Sequence, residues 1–258
     1  MATQPENIGS KLLHILGVLV FLGALWQVAI WIFEPASFLM PAPKDVAEVF
    51  RNQWSYLSSN ALITINEMAI GFAVGSLIGI LVALLLSQFQ TLDRYLMPVV
   101  VVTQTLPVFA IAPLLVIWFG FGIGSKIVMA SLIIFFPVTS AFYDGLKQTP
   151  RTYLDLGKSW GANDSQMLRQ MRIPAAMPSL MSGLKVAATI APIGAIVGEW
   201  AGASGGLGFV MLQANARTQT DVVFASLILL AICAWVLRWV VVQLADRFLW
   251  WADHSVAN

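Results

Sequence analysis

The sequence predicts an all-α polytopic membrane protein. Only 10% of the 258 residues are charged while 59% are hydrophobic, and the mean hydropathy is +0.81. Apolar runs of about twenty residues recur, long enough to cross a hydrocarbon core of roughly 30 Å as helices. A soluble domain of this size carries about a quarter charged residues, so surface needs alone argue against a water-soluble protein. The net charge of +1 implies no bulk attraction to nucleic acid. Cys233 is the only cysteine, which excludes an internal disulfide and a multi-cysteine metal site. His14 and His254 stand at opposite ends with no ligand-like spacing.

Six transmembrane helices are expected, over about Leu12–Phe33, Ala61–Ser87, Leu96–Phe119, Ser125–Leu146, Ser179–Ala201 and Val222–Ala245. Lys11 precedes a first run too long for a signal-peptide core and lacking a small-x-small site after it, so that run is read as a retained helix. Glu34–Asn60 is a polar amphipathic link. Its Pro35, Pro41 and Pro43 mark a turn before a short surface helix with Lys44 and Asp45 in the first turn. No linker separates soluble domains, so residues 1–258 form one domain.

Orientation follows from the loop cations. With the N-terminus inside, the inner segments hold Lys11, Arg94, Lys147, Arg151, Lys158, Arg169, Arg172, Arg238 and Arg247. The outer ones hold Lys44, Arg51, Lys126 and Arg217, and Lys185 falls within the fifth helix. Nine against four puts both termini in the cytoplasm.

The densest polar segment, about 147–178, then lies in the cytoplasm. Thr149-Pro150 reads as an N-cap followed by proline at the first helical position. Leu154, Leu156 and Trp160 give that helix apolar material, and Gly161 suits the left-handed residue that ends it. Asn163 caps a second helix, with Gln166 placed to complete a capping box. Met167, Leu168 and Met171 form a single apolar stripe, and Pro174 and Pro178 end that helix and launch the fifth span.

This loop resembles the EAA loop of binding-protein-dependent ABC importer permeases, E-A-A-x3-G followed after nine residues by I-x-L-P. Asp155, Leu156 and Gly157 stand at the E-A-A positions, Gly161 at the glycine and Met171-Arg172-Ile173-Pro174 at I-x-L-P. Gly157 in place of alanine costs roughly 1 kcal/mol of helix propensity. The resemblance covers about Phe38 to Asp246. The text Leu39-Met40-Pro41-Ala42-Pro43 and the stretch Leu106 to Gly122 are similar to the nitrate/sulfonate/taurine branch. The tail Gly198 to Asp221 is similar to permeases for the pyrimidine precursor of thiamine.

The resemblance implies a type I ABC importer permease fold in a bacterial inner membrane, without a cofactor. It implies three protein partners: cytoplasmic ATPase subunits, a periplasmic or lipid-anchored solute-binding protein, and a second permease copy as a homodimer. The loop becomes a coupling helix seated in a groove of the ATPase. Leu156 and Trp160 would anchor there, while Arg151, Lys158, Arg169 and Arg172 set register. The solute would be a small polar compound chosen mainly by the binding protein.

The sequence contains no G-x4-G-K-[ST] phosphate loop, no HExxH and no Ser/His/Asp set. The chain is therefore not expected to be an enzyme, and energy must come from a partner. Gly71, Gly75 and Gly79 give the second span a nearly bare face suited to close helix approach; packing within the chain, a dimer face or a pore wall would each use it. Glu67 and Glu199, toward the outer side, either reach the headgroups or line the translocation path. Pro98, Pro107, Pro113 and Pro137 interrupt the third and fourth spans, and Pro192 and Gly194 the fifth. The glycine-rich Ala201–Thr220 fits a re-entrant or external gate segment. A proton-coupled secondary transporter using Glu67 or Glu199 is the alternative, although no internal repeat supports it. A membrane-embedded enzyme ranks behind both.

Overall fold

The computed structural model describes residues 8–249 and 251. His254 lies outside them, as do the side chains of Lys11 and His14. Its elements are α1 (Ile8–Phe33), α2 (Pro43–Asn52), α3 (Trp54–Gln88), α4 (Gln90–Thr105), α5 (Val108–Phe119), α6 (Ile123–Lys147), α7 (Arg151–Ser159), α8 (Asp164–Met167), α9 (Ile173–Gly202), α10 (Leu207–Ala216) and α11 (Thr220–Phe248). The helices α3, α6, α8–α9 and α11 are each long and apolar enough to cross a bilayer. The pair α4–α5 makes a fifth span if counted as one. Six spans were expected; over the first of them the chain forms α1, 26 residues long, in which Val20–Phe33 is a shorter apolar stretch, so among the described residues four or five spans are long and apolar enough. Helix α1 presents Val20, Phe21, Trp31 and Phe33 outward and reaches the body through Trp26, which stacks on Phe224 at 5.4 Å.

Several expected boundaries move, each for a local reason. The third span is not one straight helix: Thr91–Thr105 and Val108–Phe119 meet at 101°. Leu106 is extended (φ −72°, ψ 121°), as a residue before proline prefers, and Pro107 has no N–H to continue the ladder. The second span starts at Trp54, taking Ser55–Asn60 out of the link. The fifth does not begin after Pro178. A π turn, Leu168–Arg172, joins α8 to α9, giving one helix of 39 residues, Asp164–Gly202. Pro174 follows the π turn in the first turn of α9 without breaking the helix. Pro192 likewise lies inside α9 without ending it. The surface helix is α2, with Asp45 Oδ2 accepting from the Ala42 N–H at 3.1 Å.

The centre of the fold is α6, held between α3 and α9. Ala130, Ile134, Val138 and Phe142 of α6 are buried with Ala83 and Leu86 of α3 and Ala187 and Ala191 of α9. Lipid offers no hydrophobic drive between helices, so close van der Waals packing at small residues must hold them. On one flank, a Cβ at Gly71 would lie 2.4 Å from the Ala130 Cβ, and at Gly75 2.8 Å from the Ser131 carbonyl oxygen. At Gly79 it would lie 3.1 Å from the Phe135 carbonyl oxygen. On the other flank, Gly194 and Gly198 of α9 meet the backbone of Ala130 and Lys126 in the same way. A second core gathers α2, α10 and α11 around Leu57, Met68, Leu207 and Val222.

The contacts at Gly75 are to backbone, which cannot rotate away. Gly75→Val should therefore destabilise the fold by about 1–3 kcal/mol. Gly23→Val, where nothing lies within 4 Å, should not. Thermal unfolding in detergent compares the two; equal melting would contradict the packing described.

Candidate functional site

Two polar constructions stand at opposite ends of α6. The first is the loop between α6 and α9. Its leading helix starts at Arg151 with Pro150 at the N-cap. The sequence predicts Thr149 as the cap, but Pro150 takes that place, and the Thr149 hydroxyl donates back to the Leu146 carbonyl at 3.1 Å. The helix ends in a Schellman motif: Gly161 N–H donates to the Lys158 carbonyl and Ala162 N–H to the Gly157 carbonyl, both at 3.0 Å. Gly161 has φ +74° with open space around it, so backbone conformation and not crowding requires glycine there. Asn163 and Gln166 form the reciprocal capping box, each side chain accepting from the other's backbone N–H at 2.9 Å.

Gly157, weak for a helix, has a packing reason. It is buried, and a Cβ there would lie 2.4 Å from Met167 Sδ and 2.7 Å from Met171 Sδ. The missing side chain lets α7 seat on the methionine stripe of α8 and the π turn. Side chains beside Gly157 on α7 and its C-cap are bare: Tyr153 is 53% exposed, Leu156 43% and Trp160 75%. These positions, i, i+3 and i+7, lie on one side of the helix. Tyr153 went unnoticed in the sequence, though its spacing from Leu156 and Trp160 carries the signal. Arg151, Asp155, Lys158 and Arg169 are exposed as well. Pro174 is half-buried in the first turn of α9, and Arg172 keeps a buried Nε with no hydrogen-bond partner.

The second construction lies at the other end of α6. Lys126 was expected in an outer loop; it is buried within α6, its Nζ 2.8 Å from Glu67 Oε1. Removing it leaves Lys44, Arg51 and Arg217 on the outer side of the charge count. Glu67 and Glu199 are each 1% exposed within the chain. Thr64 donates to Glu199 Oε1 at 2.6 Å and accepts from the Leu207 N–H at 2.8 Å. Asn60 Oδ1 accepts from the Gly206 N–H at 2.8 Å. Glu199 Oε2 accepts from the Gly208 and Phe209 N–H groups.

The first amides of α10, orphaned in any helix, are thus capped by side chains from α3 and α9. A carboxylate at a helix N-terminus is also favoured by the helix dipole. Gly206 (φ +109°) is demanded twice over, since a Cβ would fall 2.3 Å from the Glu199 carboxylate. Asn60, Thr64 and Glu67 continue the face of α3 that carries Gly71 and Gly75, a periodicity visible in the sequence. The glycine-rich segment is therefore a short linker into a clamped helix. Glu67 Oε2 has no hydrogen-bond partner.

Residues 75–249 match the family described as binding-protein-dependent transport system inner membrane component. A protein of Haemophilus influenzae named as a probable ABC transporter permease is 43% identical over 240 residues, which cover 93% of this chain and 97% of that protein. The formylaminopyrimidine transport permease protein of Halalkalibacterium halodurans is 35% identical over 215 residues, covering 83% and 85%. Among solved structures, an inward-facing MetNI methionine ABC transporter superposes with a TM-score of 0.66 at 19% identity, over 76% of this chain and 98% of that one. That last likeness concerns the fold alone.

Removing one member of a buried ion pair strands the other. Glu67→Ala should destabilise the protein by roughly 3–5 kcal/mol, whereas Glu67→Met combined with Lys126→Met should recover most of that loss. Denaturant unfolding in detergent measures the cycle. A double variant as unstable as the single would show that the loss does not come from stranding an unpaired charge.

Proposed function

The chain belongs to the binding-protein-dependent transport system inner membrane component family, and on that premise we propose that it is the permease subunit of an ATP-driven importer, coupled through its cytoplasmic loop to a separate ATPase. The solute in this reading is a small polar compound, the pyrimidine precursor of thiamine or a similar molecule. A periplasmic or lipid-anchored binding protein delivers it, and a second copy of the chain completes the passage. Both termini lie in the cytoplasm. ATP is hydrolysed in the partner, since this sequence has no phosphate loop.

The observation that carries this reading is the exposed Tyr153–Leu156–Trp160 stripe on a helix fixed at both ends. Aromatic anchors are enriched at interface hot spots, and an apolar stripe amid exposed charges calls for a protein cover. Gly157 and the Schellman turn hold α7 to the long α8–α9 helix, so a push on the stripe reaches the membrane. The loop cations Arg151, Lys158, Arg169 and Arg172, with Asp155, would fix the stripe's register in the groove. The similarity to a formylaminopyrimidine permease supports the solute class.

Trp160→Ala and Asp155→Lys should each weaken co-purification with the ATPase subunit. Gly161→Pro should abolish uptake while the chain still inserts, because proline can neither take φ +74° nor donate to Lys158. Undiminished ATPase binding in the first two, with normal uptake in the third, would count against the coupling role.

Uptake into vesicles supplied with ATP, with the proton gradient collapsed, separates this reading from a proton-coupled carrier. Transport should persist, and Glu67→Gln and Glu199→Gln should change its rate but not the ranking of related solutes. A proton requirement that disappears in either variant would favour the carrier instead.

A further inference from the structure

A half-open cleft of about 400 Å³ lies where the broken span meets α6 and α9. Thr103, Gln104 and Leu106 line it from the break, Phe136 from α6, and Val186 and Ile190 from α9. Phe136 sits near the midpoint of α6 (Ile123–Lys147), so the cleft is at mid-membrane depth. Its size falls within the roughly 300–1,000 Å³ range of small-molecule sites.

The break gives this cleft its polarity. Pro107 cannot donate to the Thr103 carbonyl, and of the residues lining the cleft Thr103 and Gln104 lie in the last turn of α4, where carbonyls have no intrahelical donor. Non-helical backbone at membrane depth is tolerated only where protein buries it or a water-filled cavity runs past it. Leu106 is 48% exposed and Phe109 63%, so protein does not bury this one within the chain. The Thr103 hydroxyl is turned back to the Val100 carbonyl at 2.6 Å. What remains for a visitor is a set of carbonyl acceptors and the exposed Gln104 carboxamide, facing an apolar wall. No charged side chain lines the cleft.

We infer that this cleft lodges the solute during passage and that it suits an uncharged, amino-bearing heterocycle. Amino N–H groups match the carbonyls, Gln104 both donates and accepts, and a flat ring matches Phe136 and the aliphatic wall. An anion such as a sulfonate would meet acceptors and no cation, and burying an unpaired charge is costly. The inference rests on the import reading.

The test uses the permease–ATPase complex in nanodiscs without binding protein, carrying Val186→Cys in a Cys233→Ala background. The readout is the rate of maleimide labelling. Saturating 4-aminopyrimidine should slow labelling about tenfold by occupancy, ethanesulfonate should not, and Gln104→Leu should abolish the protection. Unchanged labelling with 4-aminopyrimidine, equal protection by ethanesulfonate, or protection that survives Gln104→Leu would each overturn the inference. ATP-driven uptake by the same complex with its binding protein is read separately. Uptake without protection removes only the cleft; protection without ATP-driven uptake keeps the cleft and removes the import reading.

Discussion

The close approach of α3 and α9 to the two flanks of α6 is the constraint on which the rest depends. Both contacts rely on the absence of side chains, at Gly71, Gly75 and Gly79 on one flank and at Gly194 and Gly198 on the other. Gly183 meets the Ala141 Cβ in the same way, and Gly145 of α6 meets Ser179. Helices held by interlocking backbone cannot slide without opening voids, and packed interfaces of this kind switch between discrete arrangements instead of deforming smoothly. The three helices therefore behave as one rod. Lys147 stands twenty-one positions after Lys126, which at 1.5 Å per residue is about 31 Å of helix.

Polar groups are concentrated at the two ends of that rod. At the loop end, Asp93 of α4 accepts from the Tyr143 hydroxyl and pairs with Lys147 Nζ at 2.5 Å, and that ammonium lies 4.5 Å from the centre of the Tyr143 ring. This clasp ties the start of the broken span to the end of α6, two residues before the loop begins at Thr149. At the far end, the Glu67–Lys126 pair fastens α3 to α6, and Glu199 with Thr64 joins α9 to α3 and, together with Asn60, holds the N-terminus of α10. Between the ends, the only departure from helix at mid-depth among the described residues is the turn at Leu106-Pro107. Under the proposed coupling, a rod clamped at both ends and flanked by one bent span would carry a push at the loop to the bend.

Local chemistry was legible in the sequence where neighbours in the chain decide it. Asn163 and Gln166 cap one another, Gly161 takes the left-handed conformation, and the surface helix begins at Pro43 with Asp45 in its first turn. Where distant partners decide, the sequence was silent or misleading. Lys126 looked like a loop cation because its counter-charge lies 59 residues away in Glu67. Pro107 announced a disturbance but not its 101° angle, which depends on how α5 packs against α6 and α9. Pro174 looked like a helix end because a π turn leaves no mark that propensity can read. Gly157 looked like a weakness until Met167 and Met171 were seen filling the place of its side chain.

The central claim is that α3, α6 and α9 move as a unit while the loop is driven. It is tested most directly by spin labels at Leu77→Cys on α3 and Ile193→Cys on α9, both exposed positions, in a Cys233→Ala background. The complex would be compared without nucleotide and with ATP trapped. A rigid rod predicts the same narrow distance distribution in both states. A second population displaced on the order of the 5.4 Å helical turn would show that the helices slip past one another, and would contradict the account.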